Sequence, residues 1–229
     1  MDYRPPSLHP PRPEKKALEK RVFHNPDVLD AAKELLGLSL FTRIGGVLTG
    51  GIITETEAYA GVQDKASHAY GGRRTRRTEP MYQKGGIAYV YLCYGIHSLF
   101  NVVTGDAGVP HAVLIRSLHP THGLDAMLQR RQKTRLDPTL ACGPGALAAA
   151  LGITVSLTGI PLDSETLWIS DTGIRCLKWD ATPRIGVGYT ESDSKIGRWQ
   201  GGARHLSQAE PALKQPNLKG LGDASGIKC

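Results

Sequence analysis

The spacing of apolar and polar positions changes period several times along the chain, and each change marks an element. Val28, Leu29, Ala32, Leu35 and Leu36 recur at helical spacing and form one apolar stripe that stops at Gly37. Asn25 is placed to cap this helix, and Pro26 suits its first position, where a missing N–H costs nothing. The period then shortens. Residues 38–44 and 47–57 read as strands joined at Gly45-Gly46, a dipeptide that reaches the positive φ angles of a tight hairpin without strain. Further strands are predicted over 87–92 and 99–104, and an apolar strand over 112–118 ends before His119-Pro120. Helices follow over 123–133 and 144–151, the second closed by Gly152. Short strands over 167–169, 174–177 and 184–187 complete the sheet. This order predicts an α/β chain of the α+β type, a single domain on a mixed or antiparallel sheet flanked by helices.

Both ends break the pattern. Residues 1–20 carry five prolines among charged and polar side chains, and from Ala203 onward apolar residues are too isolated for a core face. A flexible arm over 1–20 and a disordered tail over 200–229 are therefore expected around a folded domain at 21–199. A content of 40% hydrophobic and 21% charged residues is ordinary for a folded domain and changes nothing. Charge changes more: 28 Lys+Arg against 21 Asp+Glu leave +7, an excess that favours a polyanionic partner through counterion release. With no signal-peptide region and no apolar run of about 18 residues, a soluble, intracellular chain with no membrane association is expected. The four cysteines show no Cys-x-x-Cys pair and no His at zinc-ligand spacing, which argues for a reducing compartment and against a structural metal. Neither the dinucleotide glycine fingerprint nor the phosphate-loop lysine motif occurs, so no nucleotide cofactor is expected.

The densest polar and aromatic sequence runs from Glu55 to Asn101. Glu57 stands at the end of an apolar strand, where a carboxylate is either a solvated strand end or a general base that takes a proton from water. Further on comes His68, then a glycine-containing loop in which Arg73, Arg74, Arg76 and Arg77 occupy four of five positions, suited to the phosphates of a DNA backbone or to a solvated turn. Tyr89, Tyr91 and Tyr94 fall within six residues of a chain that has only eight tyrosines. Tyr89 is adequately read as core, whereas Tyr94, beside Gly95 at an apparent strand-to-strand tip, can project outward and wedge into a base stack.

Taken together, Glu55-Thr56-Glu57-Ala58-Tyr59, Ser67-His68, Gly71-Gly72-Arg73, Tyr89-Val90-Tyr91, Tyr94-Gly95, Asn101 and Val113-Leu114-Ile115-Arg116 resemble the alkyladenine DNA glycosylase family, also called the methylpurine type of 3-methyladenine DNA glycosylase. The likeness spans about residues 21–188 and is most specific between Glu55 and Arg116. It implies that Glu57 activates the attacking water and that Arg116 helps to hold that site. It further implies that Tyr59, His68 and Tyr91 line the base pocket, that Tyr94 fills the gap left by a flipped nucleotide, and that Asn101 faces the purine edge where guanine carries its amine. A curved antiparallel sheet with a protruding hairpin, monofunctional chemistry, a monomer, and no metal or other cofactor belong to the same implication. Residues 190–200 depart from the family's closing pattern, leaving the final strand without a sequence signal.

The activity this resemblance implies is hydrolytic excision of damaged purines (3-methyladenine, 7-methylguanine, hypoxanthine) from double-stranded DNA in base excision repair. Extruding a base costs a few kcal/mol, and stacking on aromatic rings, at about 1–3 kcal/mol per base, can offset it. Electron-rich tyrosine faces would favour a cationic alkylated base by about 0.5–2 kcal/mol. Lys65 and Lys84 do not suit Schiff-base chemistry, so strand cleavage is not expected. The competing reading is a non-catalytic protein that binds damaged DNA; it has no use for a carboxylate facing phosphates.

Overall fold

A computed structural model describes residues 18–187 and 196–201, so most of the expected arm and tail lies outside the described residues. The first helix, α1 (Val28–Glu34), starts two residues later than its sequence suggests. Asp27, not Asn25, caps it, with one carboxylate oxygen accepting from the N–H groups of Leu29 (2.7 Å) and Asp30 (3.3 Å). Asn25 instead accepts from Asp27 N–H, and Pro26 lies outside the helix. A charged cap at a helix N-terminus satisfies two orphan donors, which decides the contest.

The strands are β1 (Ser39–Ile44), β2 (Val47–Tyr59), β3 (Ala88–Cys93), β4 (His97–Thr104), β5 (His111–His122), β6 (Leu167–Ser170), β7 (Asp180–Pro183) and β8 (Ile196–Gln200). They form one open sheet in the order β3-β4-β5-β2-β1-β6, with β8 beside the end of β2 and β7 outside β8. The pairings along it are antiparallel. Two helices, α2 (Leu124–Arg130) and α3 (Pro144–Leu151), complete a single α/β domain. Gly152 closes α3 at φ 71°, as its place after the last apolar residue predicts.

One face of the sheet buries Leu40, Ile53, Phe100, Val102, Val113 and Ile115 together with α1 and the alanine- and leucine-rich α3, making the main core. The other face carries a smaller cluster of Ala69, Met81, Tyr82, Tyr89, Val103 and Ala112, covered by the segment between β2 and β3. The two-residue period of the strands sorts side chains between these faces. A row of register partners runs across five strands on the second face: Tyr89, Asn101, Leu114, Glu57 and Arg198.

Several expectations need correction. β5 runs on through His119-Pro120 to His122, because Pro120 faces Gly51 next to an irregularity in the ladder, where a missing N–H is tolerated. Residues 174–177 are not a strand beyond a single bridge residue at Cys176; Asp171 accepts from Gly173 N–H and from both ends of the Arg175 guanidinium, bending the chain at Gly173. Residues 184–187 are not one either, since the strand lies just upstream and Gly186 turns at φ 77°. Conversely, β8 occupies the region that carried no strand signal. Cys93 and Cys176 are free thiols. No helix among the described residues is long and apolar enough to cross a membrane.

Candidate active site

β2 delivers three functional side chains to the second face at two-residue spacing: Glu55, Glu57 and Tyr59. Its partner β5 contributes Arg116 through an irregularity. Thr56 pairs with Ile115 and Glu55 with Ser117, so Arg116 is the extra residue of a bulge, a device that re-aims a side chain. Its Nε donates to Glu55 at 2.7 Å and a terminal nitrogen lies 3.3 Å from Glu57. The side chain of Glu57 is 0% exposed. One of its oxygens accepts from Ile185 N–H at 2.8 Å, the other from the Tyr59 hydroxyl at 3.0 Å. Burial raises its pKa above the usual carboxylate value, against the opposing pull of Arg116, Ile185 and Tyr59. Burial and the neighbouring Glu57 charge likewise push the Tyr59 phenol upward, so it stays protonated as a donor.

Two further arginines close this end of the site. Arg198, from β8, donates to the same Glu55 oxygen that Arg116 holds, and a terminal nitrogen reaches Gln200 at 3.3 Å. Arg184 follows β7, pairs through both terminal nitrogens with Asp64, donates to Ala58 C=O at 3.0 Å and lies 4.9 Å over the Tyr59 ring. Asp64 also accepts from the N–H groups of Ala60 (3.1 Å) and Ala66 (3.0 Å); these bonds and Arg184 outweigh its burial and hold its pKa below the ordinary value.

The second half of the site is aromatic. His68 packs edge-on to Tyr91, ring centroids 4.5 Å apart, and its Nδ1 is 2.8 Å from the Tyr89 hydroxyl. A terminal nitrogen of Arg77 stands 3.5 Å from His68 Nε2. A guanidinium only donates, so Nε2 is the acceptor and Nδ1 carries the proton toward Tyr89. Burial, with the charges of Arg77 and Arg73, lowers the His68 pKa to about 4 and keeps the ring neutral. Arg77 also lies 5.2 Å over the Tyr91 ring. Asn101, on β4, is buried and donates its amide to Tyr89 C=O at 3.1 Å, which fixes the orientation of its side chain.

The structure thus brings Glu57, Tyr59 and Arg116 together, and sets His68, Tyr91 and Asn101 beside them across β3 and β4. Tyr94 stands apart, 92% exposed at the tip of the β3–β4 hairpin, with φ 52° followed by Gly95 at φ 73°. The arginine loop divides. Arg73 and Arg76 are exposed, Arg74 is bound bidentately by Glu79 at 2.8 and 2.6 Å, and Arg77 turns toward the aromatic pocket. Sequence reasoning missed Arg184, Arg198 and the role of Asp64, because their partners lie more than a hundred positions away in the chain. Among the described residues no group of three or more His, Cys, Asp or Glu side chains is placed to hold a metal ion.

A buried carboxylate thus stands beside a neutral aromatic pocket, with an aromatic side chain projecting at the hairpin tip, an arrangement suited to acid–base chemistry next to a flat ring. The comparisons give the family. Residues 22–201 match the family described as methylpurine-DNA glycosylase (MPG). A Chlamydia felis protein provisionally named 3-methyladenine DNA glycosylase is 51% identical over 175 residues, covering 76% of this chain and 90% of its own length. A Bacillus cereus protein of the same provisional name is 46% identical over 179 residues, covering 74% and 87%. The chain belongs to the methylpurine-DNA glycosylase family, and it is a DNA N-glycosylase enzyme acting in DNA repair. The match reaches residue 201 and so takes in β8, whose residues carry no strand pattern of their own.

Proposed function

We propose that the chain is a monofunctional, base-flipping glycosylase that excises alkylated and deaminated purines from double-stranded DNA by hydrolysis. The observation that carries this reading is Glu57: a carboxylate with no exposed surface, oriented by Ile185 N–H and the Tyr59 hydroxyl, with its pKa raised by burial. A buried carboxylate of raised pKa is a stronger base than a solvated one, as water activation requires. Water attacks the anomeric carbon as the bond from sugar to base breaks. The bonding electron pair leaves with the base, and Glu57 takes the proton from water. The products are a free base and an abasic sugar, with both strands intact.

Tyr59, Tyr91 and the neutral His68 supply the stacking surfaces for an everted purine. The exposed Tyr94 takes the vacated position in the stack. Asn101, fixed by its bond to Tyr89 C=O, opposes the guanine amine, and Arg73 and Arg76 contact phosphates. The test is incubation of the purified protein, with chelator present, with duplexes carrying a single 7-methylguanine or hypoxanthine. Free base released from unbroken strands is expected. A stable lesion complex that releases no base would establish a binding protein instead.

A further inference from the structure

Glu55 has no part in the water-activating step, yet among the described residues it is the one carboxylate of the site held by two arginines from different strands. It is 1% exposed; one oxygen accepts from Nε of both Arg116 and Arg198, and the other accepts from the Ser117 hydroxyl at 3.1 Å. The Ser117 oxygen is fixed in turn by Gly143 N–H at 3.2 Å. Arg116 therefore serves two carboxylates and lies closer to the one that does no chemistry, 2.7 Å from Glu55 against 3.3 Å from Glu57. The bulge makes this possible, because an Arg116 in regular register would face Glu55 directly and point along the strand normal.

We propose that Glu55 is a positioning residue that acts on Glu57 through Arg116. By gripping the Nε edge of the guanidinium, it aims a terminal nitrogen at Glu57 while drawing the compensating charge away. Glu57 is left basic enough to take a proton from water. Arg198 tunes the same balance from β8, by sharing the oxygen that holds Arg116.

The groups that face Glu57 come from every element packed on it: Glu55 and Tyr59 from β2, Arg116 from β5, Tyr91 from β3, Arg198 from β8, and Arg184 with Ile185 N–H after β7. Glu55, Glu57 and Asp64 balance the three arginines. Removing the charge of Glu55 leaves a net positive site and leaves Arg116 to Glu57 alone, so Glu57 titrates lower. Removing the charge of Arg198 leaves a net negative site, so Glu57 titrates higher. A brace that merely joined β2, β5 and β8 would predict slower, less stable variants with no change in titration.

The proposal rests on Glu57 being the base, and the experiment separates the two. Single-turnover release of 7-methylguanine from a duplex is followed across the acid range; its fixed charge keeps leaving-group protonation out of the acid limb. Glu55→Gln is expected to move that limb down by about one pH unit and Arg198→Gln to move it up by about as much. Opposite signs cannot arise from loss of packing. Should Glu55→Gln fail to fold, the upward shift in Arg198→Gln still carries the test. A wild-type profile without an acid limb would overturn the role of Glu57 and the proposal with it. A wild-type limb that stays in place in both variants overturns the Glu55 relay alone.

Discussion

Replacing Glu57 by Gln separates the proposed base from its surroundings, because the amide can keep most of the contacts. Its carbonyl can accept from Ile185 N–H, now at 2.8 Å, and its NH2 can donate to the Tyr59 oxygen at 3.0 Å once that hydroxyl turns. Arg116 loses a partner at 3.3 Å but keeps Glu55 at 2.7 Å. What disappears is proton acceptance, worth about 10² to 10⁴ in rate, or about 3–5 kcal/mol of transition-state stabilisation. A cationic 7-methylguanine, which leaves readily, falls toward the lower end of that range, and neutral hypoxanthine toward the upper. Stability should move the other way. Burial raises the folded-state pKa of Glu57 above its ordinary 4.5, so its contribution is fully present below that value and lost as pH rises through the folded value. Near neutral pH the ionised side chain is therefore a liability that Gln removes. Glu57→Gln should melt at a higher temperature than wild type at pH 7, the gap closing as pH falls toward 4.5. The assays are single-turnover base release, affinity for a duplex with an abasic analogue, and thermal melts across that range. Release within threefold of wild type, or a melting temperature that drops at neutral pH, would refute the reasoning.

Two other expectations follow from single features. Tyr94 holds φ 52° at a tip with 92% exposure, so Tyr94→Gly should relieve about 1–2 kcal/mol of backbone cost while slowing base release, seen as a raised melting temperature with a reduced single-turnover rate; a fall in both would make Tyr94 a packing residue. Replacing Arg73 and Arg76 by Ala should flatten log affinity against log salt by about 1 per lost phosphate contact, whereas Arg74→Ala, whose guanidinium is already held by Glu79, should leave the slope unchanged. Equal slopes for both variants would contradict the division of the loop.

Most of the fold was legible because its signals are local. Gly45-Gly46 announces the β1–β2 hairpin, Gly152 ends α3, and the apolar alternation of β2 and β5 fixes which side chains share a face. The reading failed where local and distant forces compete. Asp27 displaced Asn25 as cap because only its charge gains from the helix N-terminus, and residues 174–177 follow ion pairs of Asp171 instead of their apolar content. The site shows the same division. Glu57, Tyr59, His68 and Tyr91 lie close in sequence, but Arg184 and Arg198 earn their places only through Asp64 and Glu55, over a hundred residues upstream, with no periodicity to mark them. Arg116 was visible as a residue of a strand, whereas its bulge, which lets one guanidinium span two carboxylates, was not.

On the proposed reading, the pocket also alters how the charge of a lesion is read. Tyrosine faces alone would favour a cationic purine by about 0.5–2 kcal/mol. In the folded protein both rings already carry a cation: Arg184 lies 4.9 Å over Tyr59 and Arg77 5.2 Å over Tyr91. A cationic base stacked on the far face of Tyr59 would sit about 8 Å from Arg184, where like charges repel by about 2 kcal/mol at an effective dielectric of about 20. Asp64, bound to Arg184, offsets part of this. The two contributions are similar in size and opposite in sign, so binding should be nearly indifferent to base charge, and discrimination should appear in the chemical step. The measurement uses Glu57→Gln to suppress excision and places 7-methylguanine or hypoxanthine opposite an abasic residue, which removes base pairing from the comparison. Affinities within about threefold are expected, while wild-type excision rates differ far more, since a cationic base departs without a proton. A tenfold preference for the cationic base in binding would show that the tyrosine faces keep their pull despite the arginines behind them.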